Sequence, residues 1–364
     1  MKQKLVYISS EWFFDTDKDI LKYLSEDYEV HWLYIMDGKF SRVDKRVICD
    51  YARNNDLSLH LLLNKKKQLS PANLFFYYKV KKLISRIKPQ IILKVEQDLY
   101  WSLITLFMGC KTIYMIHDAL VHSGTHNGWI RQLFTNLTIK MNNDFIVFSQ
   151  SQYQILHLKY PSKNIFTTHM SIKDFGFSKK KRPKISDEIR LLFFGRIESN
   201  KGLDKLISCL ESKYAKGEER IKLTICGKGS FWPTCEKLIK NKQNYNLQIR
   251  FIKNDEIPDI FASHHFLALP YRDATQSGPL MIAANYNLPI LATNQDSFKE
   301  VYTNNMAIYN DDINLGLDRL EKIDAVTYKT MLSECEKLKT KFSAKSIAAE
   351  IIIFLRNCNY NIFS

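Results

Sequence analysis

Short apolar runs alternate with amphipathic stretches from the first residues onward. Lys4–Ser9 (KLVYIS) reads as a buried strand and Asp17–Leu24 (DKDILKYL) has helical spacing. Tyr28–Ile35 (YEVHWLYI) is a second strand, rich in β-branched and aromatic residues. Ser70-Pro71 opens a further helix, because serine suits the N-cap and proline the first helical position. Within it Phe76, Val80, Leu83, Ile84 and Ile87 fall on one helical stripe, and Lys88-Pro89 ends it. Pro89–Val95, Lys111–Ile116 and Phe145–Ser149 are further short strands. Such alternation predicts an α/β fold with parallel sheets flanked by helices.

The rhythm breaks at Lys179–Lys184, a basic run holding one proline and no apolar period, which reads as an exposed linker. It then resumes with strands Arg190–Phe194, Lys222–Cys226, Gln248–Ile252, Phe266–Leu269 and Pro289–Ala292. Helices Leu203–Leu210, Trp232–Lys240, Ile257–Ala262 and Pro279–Tyr286 lie between them, and helical segments follow from about Leu315. The expected organisation is two α/β domains, 1–180 and 185–344, with a C-terminal helix at 345–364 packing back on the first.

A chain of 364 residues has room for two such cores. With 45% hydrophobic and 25% charged residues, disordered and fibrous classes are excluded. The seven cysteines (49, 110, 209, 226, 235, 335 and 358) are scattered and form no C-x-x-C pair, which argues against a disulfide framework or zinc ribbon. Met1–Phe14 lacks a signal-peptide pattern. The longest uncharged apolar stretch, Leu99–Cys110, falls well short of the roughly 20 residues a spanning helix needs. The expected location is therefore the cytoplasm, with peripheral attachment to the inner membrane face as an option. A net charge of +15 predicts an anionic partner: nucleic acid, an acidic membrane surface or a phosphorylated small molecule.

Three segments carry candidate chemistry. In Leu191–Leu206 (LLFFGRIESNKGLDKL) a strand ends at Gly195, Arg196 and Lys201 follow, and a helix opens near Gly202. Ligands bind outside the C-terminal ends of parallel strands, so two cations beside helix N–H groups there suit a diphosphate. A solvated loop with two ordinary surface cations fits the same residues. In Tyr271–Asn285 (YRDATQSGPLMIAAN), Ser277-Gly278-Pro279 is a helix start whose free N–H groups can hold a phosphate, with Thr275, Gln276 and Ser277 as side-chain donors. A plain N-cap has the same pattern. In Tyr114–Gly124 (YMIHDALVHSG), His117-Asp118 ends a strand. His117 suits backbone anchoring, metal ligation or sugar chemistry, but no H-E-x-x-H or cysteine partner accompanies His117, His122 and His126, so zinc is not expected.

Phe194-Gly195-Arg196-Ile197-x-x-Asn200-Lys201-Gly202-Leu203-Asp204-x-Leu206-Ile207 resembles the donor-domain signature of family-four glycosyltransferases. LTICGKG (223–229), PDIFA (258–262), LALPY (267–271) and NLPILATN (287–294) match further family segments in order. The resemblance is strong over about 190–300 and weak in the N-terminal half. It implies the GT-B fold: two Rossmann-like domains facing across a cleft. It also implies a retaining, metal-independent transfer from a UDP- or GDP-linked sugar, with no cofactor. By the same resemblance Arg196 and Lys201 bind the donor diphosphate, Gly195, Gly227 and Lys228 approach the nucleotide, and Thr275, Gln276, Ser277, Gly278, Pro279 and Leu280 form the phosphate turn. Glu300 matches a glutamate common after the A-T strand. The H-D-x-x-x-H stretch and A-T-Q-S-G-x-L turn resemble a branch that assembles polysaccharide and lipopolysaccharide, which places His117 and Asp118 near the reacting sugar.

The sequence departs from the pattern in two places. Many members carry two glutamates eight positions apart in the phosphate turn; here those positions hold Ala274 and Ile282, and Asp273 stands next to the first. Ser9-Ser10-Glu11-Trp12-Phe13 replaces a glycine-rich loop after the first strand, so the acceptor pocket is expected to differ. Trp12 suits buried packing better than stacking on a sugar.

The charge is uneven. Between His60 and Val95 stand Lys65, Lys66, Lys67, Lys79, Lys81, Lys82, Arg86, Lys88 and Lys94, with no acid. Lys79, Lys82 and Arg86 share a helix face with Phe75, a pattern that suits either a solvated surface or an anionic membrane presenting a lipid-linked acceptor. No nucleic-acid motif accompanies the charge, so nucleic acid is not expected. The expected partners are thus a nucleotide sugar, a saccharide or lipid-linked acceptor, and an anionic membrane. A non-catalytic nucleotide-sugar binder is the alternative, kept open by Ala274 and Ile282. A nucleotide-sugar epimerase fits the H-D-A-L-V-H and A-T-Q-S-G segments less well.

Overall fold

The structure, a computed structural model, describes residues 2–11, 13–37, 43–64, 73–95, 104–105, 108–116, 128–186 and 188–360. Two compact units share them. One holds the described residues up to Ser171 together with helix Ala344–Tyr360; the other runs from Ile172 to Ser343.

The first unit is built on a parallel sheet of seven strands: β1 (Gln3–Ser10), β2 (Tyr28–Asp37), β3 (Ser58–Asn64), β4 (Ile91–Lys94), β5 (Lys111–Ile116), β6 (Asp144–Val147) and β7 (Asn164–Thr167). Their order is β3-β2-β1-β4-β5-β6-β7. Near-continuous apolar runs suit strands covered on both faces. Helix Asn73–Ile87 buries Tyr77, Val80, Ile84 and Ile87 against Val6, Ile8, Leu33 and Ile92. The proposed Ser70-Pro71 start of that helix lies outside the described residues.

The second unit repeats the plan with six parallel strands: β8 (Ile189–Phe194), β9 (Ile221–Cys226), β10 (Tyr245–Gln248), β11 (Phe266–Leu269), β12 (Ile290–Ala292) and β13 (Ala307–Tyr309). Their order is β10-β9-β8-β11-β12-β13. Helix Leu203–Tyr214 buries Leu203, Leu206, Ile207, Leu210 and Tyr214, a stripe at helical spacing, against Leu191, Phe193, Leu223 and Ile225.

Several elements differ from expectation. The strand expected at Gln248–Ile252 lies at Tyr245–Gln248, paired with Leu223–Cys226. YNLQIRF (245–251) alternates throughout, so its pattern cannot select which part pairs, and pairing with the six-residue β9 does. The helix from Trp232 stops at Glu236, four residues early. The basic run at 179–184 is not a free linker. Asp259 accepts from Ser178 Oγ and the Lys179 N–H, and the Arg182 guanidinium donates to the carbonyls of Tyr286 and Asn287.

Candidate functional site

Strand order reverses between β8 and β11 in the second unit, the position where open parallel sheets bind ligands. The residues after β8 form a tight crossing with those after β9. Gly195 N–H donates to the Cys226 carbonyl at 2.9 Å and Ile197 N–H to the Lys228 carbonyl at 3.1 Å. Gly195, Gly227 and Lys228 therefore lie side by side, with Arg196 between them and exposed. Its guanidinium makes no hydrogen bond or ion pair among the described residues.

A single 3-10 turn, Ser199–Lys201, then leads to Gly202 at φ +66°, which caps the helix from Leu203. A Cβ on Gly202 would lie 1.9 Å from the Pro270 carbonyl oxygen, so only glycine lets this turn approach the end of β11. Arg272, three residues past that strand, fastens the approach: its N–H donates to the Asn200 carbonyl at 2.8 Å, and its guanidinium reaches the Ser199 carbonyl and Asp204. Asn200 Nδ2 donates to Asp273 at 3.3 Å. The Lys201 ammonium stands 3.8 Å from the centroid of the Tyr271 ring.

Thr275 and Gln276 are half-buried in the turn that leads to helix Gly278–Asn285. Ser277 caps this helix, accepting the Leu280 N–H at 3.3 Å. That bond takes up the Leu280 N–H, and the Leu280 side chain is buried. Pro279 has no N–H, and the Gly278 N–H, in the helix's first turn, has no acceptor among the described residues. Pro279 Cγ stands 3.4 Å from where a Gly195 Cβ would lie, which joins this helix start to the end of β8. Glu300 lies half-buried just past the short helix Asp296–Lys299.

One cation was missed by sequence reasoning. Lys173 N–H donates to the Met281 carbonyl at 3.3 Å, and Lys173 Nζ lies 3.7 Å from where a Gly278 Cβ would point. It sits in an irregular segment about a hundred residues before the turn, with no motif around it. Arg196, Lys201 and Lys173 thus accompany a positive helix end, an arrangement that attracts anions.

Among the described residues one acidic group, Glu218, Asp318 and Glu321, comes close enough to hold a cation. The nearly buried Lys213 ammonium already sits in it, at 2.9, 2.6 and 2.8 Å. His117 and Asp118 lie outside the described residues, as do Trp12 and Lys65–Lys67. In the first unit strand order reverses between β1 and β4, where Ser10 ends β1 and Glu11 follows it, both nearly buried.

Residues 188–317 match the family described as Glycosyl transferases group 1. A comparison with curated proteins finds no match. Among solved structures, Anabaena HepE in complex with UDP and glucose is 13% identical, with TM-score 0.72 over 98% of this chain and 100% of that one. Sucrose-phosphate synthase from Thermosynechococcus elongatus is 11% identical, with TM-score 0.72 over 99% and 100%. S. aureus TarM, in complex with Fondaparinux, α-GlcNAc-glycerol and UDP, is 12% identical, with TM-score 0.70 over 96% and 99%. The chain has the GT-B fold of two parallel-sheet Rossmann-like units, and the match to the glycosyl transferases group 1 family falls within the second of them.

Proposed function

We propose that the protein is a retaining glycosyltransferase that moves a sugar from a UDP- or GDP-linked donor to a saccharide or lipid-linked acceptor in cell-surface polysaccharide assembly. The observation that carries this reading is the convergence of Arg196, Lys201 and the Ser277 helix start where strand order reverses, with Lys173 beside the same helix end. Charge building on a departing diphosphate is what fixed cations and oriented N–H groups stabilise. In this reading they fill the role a metal plays elsewhere, and turnover is metal-independent. Asp273, held by Asn200 beside Lys201, is assigned to donor-sugar hydroxyls. His117 and Asp118 are assigned to the reacting sugar, and retention by front-face departure and attack follows the family resemblance. The complexes of HepE with UDP and glucose and of TarM with UDP support a uridine donor.

The test is incubation of purified protein with labelled UDP- and GDP-sugars and saccharide acceptors, with and without EDTA. Transfer with retained anomeric configuration, unaffected by EDTA, is the expected result. Nucleotide binding without hydrolysis or transfer would favour the second reading, a non-catalytic nucleotide-sugar binder. Ile282 favours that reading, because it is packed into an apolar helix where many relatives place an acid.

We assign a membrane contact to helix Asn73–Ile87. Leu74, Phe75 and Tyr78 are more than half exposed, and the Lys79 ammonium stands 4.4 Å from the Phe75 ring centroid. Lys81, Lys82 and Arg86 are exposed along the same helix, which contains no acid. Exposed aromatic and basic side chains together suit the interface of an anionic bilayer.

A further inference from the structure

We propose that Tyr271 is the positioning residue of the donor site, its ring fixing Lys201 and its hydroxyl fixing the Ser277 helix start; this rests on the donor reading above. A lysine carries its charge on a flexible four-carbon stem, so an ammonium meant to meet a phosphate must be held in place. The face of the Tyr271 ring does this, with Lys201 Nζ at 3.8 Å from its centroid. The hydroxyl lies 3.3 Å from Ser277 Oγ, the atom that caps helix Gly278–Asn285. One side chain thus joins the cation of the first motif to the phosphate turn of the second.

The ring is itself immobilised. Tyr271 is buried, and Phe298 packs edge-on at 5.4 Å. Its carbonyl accepts from Thr293 Oγ1 at 2.7 Å and Gln295 Nε2 at 3.3 Å. Burial pushes the phenol up to about 12, against the opposing effects of Ser277 and the Arg196 charge, so near pH 7 the hydroxyl keeps its proton. A tyrosine serving only as core filler would need neither the cation over its face nor the serine at its tip.

The test is a double-mutant cycle read as affinity for UDP and for GDP by calorimetry, using Tyr271→Leu, Lys201→Ala and the pair. Tyr271→Leu is expected to weaken binding about five- to thirtyfold, the range for a partly desolvated cation–ring contact. The double variant is expected to lose less than the product of the two single losses, the part beyond Lys201→Ala being the hydroxyl's contact with Ser277. Losses that multiply in the double variant, or wild-type affinity in Tyr271→Leu, would overturn the proposal. If Tyr271→Leu does not fold, Tyr271→Phe with Ser277→Ala takes its place. Tyr271→Phe should lose about fivefold through the shared hydroxyl contact, Ser277→Ala more because it also removes the cap, and the pair no more than Ser277→Ala alone, while multiplying losses count against the role. Failure of the wild-type chain to bind either nucleotide would instead overturn the donor reading itself, and the positioning role with it.

Discussion

The carbonyl oxygen of Gly195 stands 1.8 Å from where a Cβ on Gly227 would sit. Two strand ends cross there with no space for a side chain, and Gly227 has φ +143°, a backbone region that L side chains rarely adopt. Gly227→Ala is expected to destabilise the second unit by about 2–4 kcal/mol, from strain and the forced parting of the strands. Gly217, at φ +78° with open space around it, is the control. Gly217→Ala should cost only about 1 kcal/mol, and denaturant midpoints of the two variants compare them directly.

Arg196→Ala and Lys201→Ala should each lower sugar transfer by about a hundredfold or more, the usual loss when one stabiliser of developing charge is removed. Because Arg196 is exposed and makes no hydrogen bond or ion pair among the described residues, its variant should unfold at the wild-type temperature. Turnover at the wild-type rate in Arg196→Ala would remove it from the site.

Lys213 holds Glu218, Asp318 and Glu321 together, and these carboxylates raise its pKa despite burial. Lys213→Met should leave three crowded acids and destabilise the unit by about 3 kcal/mol, read from denaturant unfolding. A divalent cation should recover part of that loss in the variant and have no effect on the wild type.

Burial drives the His264 pKa down from 6.5 to about 4, while the Ile260 carbonyl, accepting from Nδ1 at 2.6 Å, acts in the opposite direction. The unfolded chain therefore takes up the proton first. Stability should be full above about pH 6.5 and fall towards pH 4, by up to about 1.4 kcal/mol per pH unit from this ring. His264→Gln should flatten the decline between pH 7 and 5, and an unchanged slope would assign it to other groups.

Co-sedimentation with vesicles tests the helix Asn73–Ile87 surface. Charge reversal at Lys79, Lys82 and Arg86 should abolish binding to anionic vesicles, each basic residue contributing about 1 kcal/mol near such a surface. Phe75→Ser alone, with the basic residues intact, should weaken binding. Equal binding to neutral and anionic lipid would contradict the assignment.

Much of the second unit was legible in the residues. β8, the stripe from Leu203 to Leu210 and the Ser277-Gly278-Pro279 start all carry local signals, because each is set by neighbours within a turn or two. What was not legible is long-range. Lys173 reaches its place through a backbone bond to Met281, and Arg182 loses its linker character only because two carbonyls past Asn285 accept from it. Tyr271 reads as a core aromatic until its two polar neighbours are seen together. In the first unit, helix Lys45–Asn54 and β3 escaped notice because both are short: Ile48 and Ala52 do fall at helical spacing, but they bury only one turn of apolar face.

The pairing of β8 with β11 has a kinetic meaning. Leu191 meets Phe266 across about 75 residues, so the two strand ends that carry the cations and the phosphate turn come together only when a long loop closes. Loop-closure entropy disfavours that step until the intervening β9 and β10 segment has ordered itself. On the donor reading, nucleotide affinity is therefore expected to appear late in folding, and a bound nucleotide would report that this one closure has taken place.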